Sequence, residues 1–395
     1  MYDVLQERRD VLALMETSRA LLLAGVPRLL GLGVVITSET ALESLCRFLF
    51  RDLPTRAPLL RQLRVKIKLP PLDLSDDTAD SDSEDDFEDE GMDVDQPEPR
   101  PSSVYSLTTI FRSATRLRDV SIDYFEELLE RDPGLTDALI QLDSLRRLRT
   151  TSFGLRALSV LPRIIAPIEE ADIHQWFNGM ETSPVFFDFL APFRSTLKKL
   201  TIWCADLWSV NHEEVDCRFP LVHTLSLRQV NTSVDLEVLL SAFPNLRHLD
   251  LTDHQGAERK TTTVHLDHLR NRELDCTDDW HSFEHLSGDL PSLYALGLTR
   301  HVRRVDISDI HLNPQTLAPL HAVVAGTTPA HLSLHIGHHR GQIQKLTTLP
   351  ALLQVADAQS ITHSALDISA NVAYPMNTKE FAVRVFLRVG RTPAS

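Results

Sequence analysis

The segments LKKLTI (residues 197–202), VHTLSL (222–227) and LRHLDL (246–251) share one pattern, with apolar residues at the first, fourth and sixth positions. The sixth position recurs after 25 and then 24 residues. Apolar and polar residues that alternate over the last three positions are typical of a half-buried β-strand. A strand that returns at a nearly constant interval predicts a repeat architecture.

Weaker copies of the pattern continue on both sides, at residues 117–122, 145–150, 302–307, 332–336 and 366–368. The sixth positions Ile122 and Ile202 are 80 residues apart, which is three steps of about 27 in a repeat of this class. Between the strands the apolar spacing becomes helical. Two such faces are Phe125, Leu128 and Leu129, and Leu236, Leu239, Leu240 and Phe243, the second ending at Pro244.

Strands and helices that alternate in this way predict an α/β fold, a leucine-rich-repeat solenoid with parallel strands and the form of a horseshoe. Each turn would bury its apolar side against its neighbours. The alternative is an ordinary α/β fold in which such strands recur by chance. The first predicted strand is Arg64–Leu69, and a helix before it is indicated by the N-cap Ser38 and by Leu42, Leu45, Cys46 and Leu49.

An acidic segment interrupts the predicted solenoid. Residues 73–95 contain 13 acidic residues and no Lys or Arg. Such dense like charge with few apolar residues predicts a disordered insert, residues 70–104. Ser81 and Ser83 each have an acidic residue three positions on, as acidophilic kinase sites do, although a solvated spacer is the commoner role for such runs.

The net charge of −15 comes mostly from this insert, and the rest of the chain carries −2. A near-neutral body argues against a general nucleic-acid binder. The apolar run 21–36 is broken by Pro27 and Arg28 and is too short to span a membrane. The scattered cysteines, Cys46, Cys204, Cys217 and Cys276, are typical of a reducing compartment. We therefore expect a cytoplasmic or nuclear protein with no membrane segment and no cofactor.

Residues 10–21, DVLALMETSRAL, followed by Pro27 and Leu29-Leu30, resemble the second half of an F-box. The segments ALESLCRFLFRDLPTRAPLLRQLRV (41–65) and LPSLYALGLTRHVRRVDISDI (290–310) resemble fungal F-box proteins with leucine-rich repeats. In that family the F-box binds the Skp1 adaptor of a cullin-type SCF ubiquitin ligase, and the repeats select the substrate. The resemblance implies a partial F-box-like helical segment, residues 1–36, and a solenoid over 37–395.

Only nine residues precede Asp10, too few for the first F-box helices, so we expect that the N-terminal half of the F-box is missing. Within the part that is present, the resemblance assigns adaptor docking to five residues. They are Leu12, Leu14, Leu21, Pro27 and Leu30.

Polar residues between the core positions of the repeats predict the binding surface, because strands line the concave face of a horseshoe. These residues are Arg64, Lys66, Lys68, Lys199, Thr201, Trp203, Ser226, Arg228, His248, Asp250, Arg304, Asp306, Ser333 and His335. An exposed Trp203 beside cationic residues would suit a binding hot spot. The alternative is that Trp203 lies beneath a neighbouring loop.

One segment raises the alternative of a zinc hydrolase. His281, Glu284 and His285 match H-x-x-E-H, in which two histidines on one helix face bind zinc and the glutamate acts as a base. An acidic third ligand is not evident after His285, and such short matches arise by chance in a chain with 17 histidines. The sequence favours a non-enzymatic substrate receptor of an SCF ubiquitin ligase, with a plain repeat scaffold as the alternative.

Overall fold

The computed structural model describes residues 19–68, 105–175, 188–203, 218–228, 235–252, 261–274, 280, 283–310, 314–338, 361–374 and 377–388. The chain divides into two compact units, residues 1–144 (unit 1) and 145–395 (unit 2). Within the described residues no helix is long and apolar enough to cross a membrane.

In the described part of unit 1, helices alternate with three short parallel strands. Its elements are α1 (Arg19–Gly31), β1 (Val34–Ile36), α2 (Glu39–Phe50), α3 (Leu53–Arg56), a 3₁₀ turn (Ala57–Leu59), β2 (Gln62–Val65), α4 (Tyr105–Ser113), β3 (Asp119–Ile122), α5 (Phe125–Arg131) and α6 (Pro133–Ile140). β2 pairs in parallel with β1 and with β3. Because β2 and β3 are neighbours, residues 69–104 belong to a connection between two adjacent strands of one sheet.

The helix predicted after Ser38 is confirmed as α2. The Ser38 hydroxyl accepts a hydrogen bond from the Ala41 backbone amide at 3.2 Å and so caps the helix. Leu42, Cys46 and Leu49 are buried on one face.

Two expectations for unit 1 need correction. Residues 34–36, predicted as helical, form β1, and the strand predicted at Arg64–Leu69 lies at Gln62–Val65. Ile67 is nevertheless buried, so the alternation continues beyond the hydrogen-bonded strand. Leu69 and the predicted disordered insert lie outside the described residues.

The described residues of unit 2 form ten strands. They are β4 (Arg147–Phe153), β5 (Glu170–Gln175), β6 (Lys199–Trp203), β7 (Thr224–Arg228), β8 (His248–Thr252), β9 (His285–Asp289), β10 (Arg304–Ile310), β11 (His331–His338), β12 (His363–Tyr374) and β13 (Asn377–Arg388). Its helices are α7 (Leu155–Val160), α8 (Leu236–Ala242), α9 (Thr261–Leu274), α10 (Leu290–Ala295) and α11 (Pro314–Thr327), with 3₁₀ turns at Leu161–Arg163 and Asp188–Phe193.

Strands β4–β12 pair in parallel in the order of the sequence. The fourth positions of the quoted repeats, Leu200, Leu225 and Leu249, are register partners, and so are the sixth positions. All six side chains are at most 1% exposed. The α/β class and the recurring parallel strand are therefore confirmed, and each strand supplies one layer of a continuous apolar core.

Besides β13, two strands of unit 2 were missed by the sequence pattern. In β5 the fourth position is Ala171, and in β9 the sixth position is Gly288. Both residues occupy core register positions, opposite Leu200 and Leu251. β4 and β5 account for the predicted three steps between Ile122 and Ile202.

The last strand departs from the predicted solenoid. β13 pairs antiparallel with β12 over twelve positions, from His363 and Arg388 to Tyr374 and Asn377. The expectation of parallel strands throughout is wrong for this strand, since two consecutive strands joined by a short connection form a hairpin.

Candidate functional site: the polar face of unit 2

The residues between the core positions of β4–β12 form a surface, here called the polar face, in which side chains of successive strands are in register. One row is Arg147, Glu170, Lys199, Thr224, His248, His285, Arg304, His331 and His363, and the next is Arg149, Asp172, Thr201, Ser226, Asp250, Ser287, Asp306, Ser333 and Ala365. A third, shorter row is His174, Trp203, Arg228 and Thr252. Neighbouring side chains in such rows are close enough to interact.

Trp203 lies between its two register neighbours. The His174 ring stacks on the indole with the centroids 4.3 Å apart, and the Arg228 guanidinium carbon lies 4.8 Å from the ring centroid. The indole Nε1 donates to Asp172 Oδ1 at 3.3 Å. Arg149 pairs with the other oxygen of Asp172 at 2.6 Å. Trp203 is half-buried, and its role as a binding hot spot stays a prediction.

Asp250 connects the side chains of three strands. Its Oδ2 accepts a hydrogen bond from Ser226 Oγ at 2.8 Å and lies 3.5 Å from Arg228 Nη2. Its Oδ1 accepts from Ser287 Oγ at 3.1 Å. Arg228 Nε also donates to Ser226 Oγ at 3.2 Å, so the same arginine contacts both the indole and the carboxylate group.

Asp306 forms a second cluster. Its carboxylate accepts hydrogen bonds from Arg304 Nε at 3.0 Å and lies 2.9 Å from His285 Nε2. Burial raises the pKa of Asp306, but the hydrogen bonds and positive charge of His285 and Arg304 outweigh it, and the net pKa is lowered. Burial of the ring lowers the pKa of His248, and electrostatic repulsion from the neighbouring His285 lowers it further.

The lowered pKa of Asp306 predicts a pH-dependent stability. Because the folded state holds this proton less tightly than the unfolded state, the ionised carboxylate stabilises the fold above its ordinary pKa of 3.8 and the benefit disappears as the pH falls through the lowered value. Asp306→Asn is expected to cost about 1 kcal/mol at pH 7 and to weaken the loss of stability on acidification. Urea unfolding at a series of pH values measures both effects.

The exposed Glu273 of α9 offers a matched control, Glu273→Gln. If Asp306→Asn showed the same pH dependence of unfolding as the wild type, the carboxylate of Asp306 would not be the source of that dependence.

The structure places the predicted binding residues in two groups. Lys199, Thr201, Trp203, Ser226, Arg228, His248, Asp250, Arg304, Asp306, Ser333 and His335 lie on strands β6–β8, β10 and β11 of unit 2. Arg64 is in β2 of unit 1, and Lys66 and Lys68 are exposed after that strand. The hydroxyl of Ser333 lies 3.4 Å from His335 Nε2. The binding role of all these residues stays a prediction.

The predicted binding residues leave out several residues of the polar face that contact them. Asp172 and His174 contact Trp203, Ser287 contacts Asp250, and His285 contacts Asp306. Arg149 in turn pairs with Asp172. Asp172 and His174 alternate with Ala171 and Ile173 in β5, so a pattern that admits alanine at the fourth position would have found them.

The residues assigned to adaptor docking are only partly described. Leu12 and Leu14 lie outside the described residues, as does the side chain of Leu21. Pro27 is exposed on α1, whereas Leu30 is 3% exposed and belongs to the core of unit 1. Ser81 and Ser83 also lie outside the described residues.

The described part of the H-x-x-E-H segment, residues 283–285, is not helical, whereas a zinc peptidase carries this motif on a helix. His285 begins strand β9, where its ring contacts Asp306, and Glu284 lies 3.7 Å from Arg247. His281 lies outside the described residues. Among the residues that the structure describes, no group of three or more His, Cys, Asp or Glu side chains could hold a metal ion.

No protein-family model and no curated protein matches the chain.

Proposed function

We propose that this chain is a non-enzymatic protein-binding protein and that the polar face of unit 2 is its binding surface. The observation that carries the proposal is the arrangement around Trp203, in which His174, Arg228 and Asp172 hold the indole in place across three strands. Tryptophan and arginine are enriched among the residues that dominate binding energy at protein interfaces. Side chains that are already ordered lose less conformational freedom when a partner binds.

The finer proposal is a leucine-rich-repeat substrate receptor of an SCF ubiquitin ligase in the cytoplasm or nucleus. Its support is the F-box-like sequence at residues 10–30 and the repeated α/β architecture. A repeat scaffold that binds partners without ubiquitin transfer is the competing proposal. Direct binding of a purified Skp1-type adaptor to the full-length chain separates them, since the scaffold would not retain the adaptor.

Trp203→Ala is expected to weaken partner binding about thirtyfold, which corresponds to about 2 kcal/mol for a central aromatic residue. The variant also leaves Arg228 and His174 without the ring that they contact. Tagged full-length wild type and variant would be compared by quantitative mass spectrometry of the proteins that they retain from cell extract, followed by an affinity measurement with the retained partner.

Ile165→Ala is the matched control, because Ile165 is 82% exposed and lies outside the strands of unit 2. It is expected to retain the same proteins as the wild type. If Trp203→Ala retained the same proteins as the wild type in the same amounts, the polar face would not be the binding surface.

A further inference from the structure

Basic residues collect where the strands of unit 2 begin. We define the rim as the first residue of each strand from β4 to β12 together with the residue before it. Seven rim residues are Lys or Arg, all of them exposed: Arg146, Arg147, Lys198, Lys199, Arg247, Arg303 and Arg304. Three are acidic, namely Glu169, Glu170 and Glu284, and five are histidines. The rim therefore has an excess of four positive charges before any histidine is protonated.

The carboxylates close to the rim do not cancel this excess. Glu169 is shared between Lys198 at 2.7 Å and Arg146 at 3.8 Å, and its pKa is lowered, first by the hydrogen bond from Lys198. Farther along the strands, the side chains of Asp172, Asp250 and Asp306 are 22%, 29% and 18% exposed, and each is paired with an arginine. The charge that an incoming partner meets first at the rim is thus basic.

The basic residues of the rim recur at every second strand. They belong to β4, β6, β8 and β10, whereas β5, β7 and β9 contribute glutamate, threonine or histidine.

Backbone hydrogen bonds hold these rim positions in register. The carbonyl of Lys198 accepts from the amides of both His223 and Thr224, and the carbonyl of His223 accepts from those of Arg247 and His248. The carbonyls of Arg146, Glu169 and Arg247 accept from two successive amides in the same manner.

The recurrence of basic residues on alternate strands fixes the distance between the basic positions of the rim. Neighbouring strands are about 4.8 Å apart, so basic positions on alternate strands are about 9.6 Å apart. Three residues of a polyproline II helix span about 9.3 Å. An extended peptide lying across the strands would therefore bring every third side chain to a basic position of the rim.

We propose that the rim binds an extended acidic peptide segment with a carboxylate at every third residue, over four such positions. The inference deepens the proposed function, on which it rests, by naming the chemistry of the protein partner. A nucleic acid fits the rim less well, because its phosphates are spaced more closely than 9.6 Å and glutamates occupy the alternate strands β5 and β9.

A pair of synthetic peptides tests the spacing without altering the protein. One repeats Glu-Pro-Ser four times, and the other has the same composition with its four glutamates contiguous. We expect the periodic peptide to bind the full-length chain about fivefold more tightly in fluorescence anisotropy, since only its carboxylates reach all the basic positions.

Two double variants with the same charge change test the location. The double variant Lys199→Ser, Arg247→Ser lacks one basic side chain at each of two rim positions. It is expected to bind the periodic peptide about tenfold more weakly. Arg156→Ser with Arg163→Ser removes two exposed charges from α7 and the following 3₁₀ turn, and is expected to leave the affinity unchanged. Unchanged urea midpoints would show that each variant is folded.

Four results would each overturn the inference: equal binding of the two peptides, binding of neither, an equal loss in both double variants, or tighter binding of a length-matched oligonucleotide. These four results are independent of the Trp203→Ala experiment. The proposed function is tested by that experiment alone, through the proteins that the variant retains. If retention of proteins from cell extract depended on Trp203 but not on Lys199 and Arg247, the proposed function would stand. The proposal that the partner is an acidic peptide segment would then be wrong.

Discussion

Gly288→Ala is expected to destabilise unit 2 by about 3 kcal/mol or more. A Cβ atom at Gly288 would lie 2.0 Å from the carbonyl oxygen of Leu251 and 3.1 Å from Leu293 Cδ2. The first of these atoms is backbone of the adjacent strand, since Leu251 and Gly288 are register partners of β8 and β9. It cannot rotate away as a side chain would, so the two strands would have to separate.

Urea unfolding followed by circular dichroism measures this loss, with Gly31→Ala as the control. A Cβ at Gly31 would have no atom within 4 Å apart from its chain neighbours and the backbone of its own helix, α1, which ends at this residue. The control is expected to change stability by no more than about 0.5 kcal/mol. A Gly288→Ala variant as stable as the wild type would contradict the close approach of β8 and β9.

The same glycine shows what the sequence could and could not predict. The apolar spacing identified β6, β7 and β8, because large apolar residues fill both core positions of those strands. It missed β9, where close approach of Leu251 leaves no room for a side chain at the sixth position. A pattern built on apolar residues cannot detect a position that excludes them.

The candidate site was predictable to a similar degree. The residues that alternate with the core on β6, β7 and β8 follow from the strand period alone, and the structure places them on one face. The surroundings of Trp203 did not follow, because His174 and Asp172 come from β5, whose core position holds the small Ala171. Contacts between side chains of neighbouring strands depend on the strand register. The register cannot be read from the sequence where one strand, such as β5, lacks one of the large apolar residues of the pattern.

Asn271→Leu is expected to destabilise unit 2 by about 2–4 kcal/mol, because it removes two hydrogen bonds from the interior. Asn271 is 1% exposed on α9. Its Oδ1 accepts from the amide of Leu236, the first residue of α8, at 3.3 Å, and its Nδ2 donates to the carbonyl of Ala295, the last residue of α10, at 2.9 Å.

Both partners of Asn271 are helix-terminal groups that lack a partner within their own helix. Leucine is branched at Cγ as asparagine is and has a higher helix propensity, but it leaves this buried amide and carbonyl without hydrogen bonds. Asn245→Leu is the matched control, since Asn245 donates to the carbonyl of Pro220 at 2.8 Å from an exposed position where water can replace it. Equal urea midpoints for the two variants would show that Asn271 does not join α8 to α10 as its hydrogen bonds indicate.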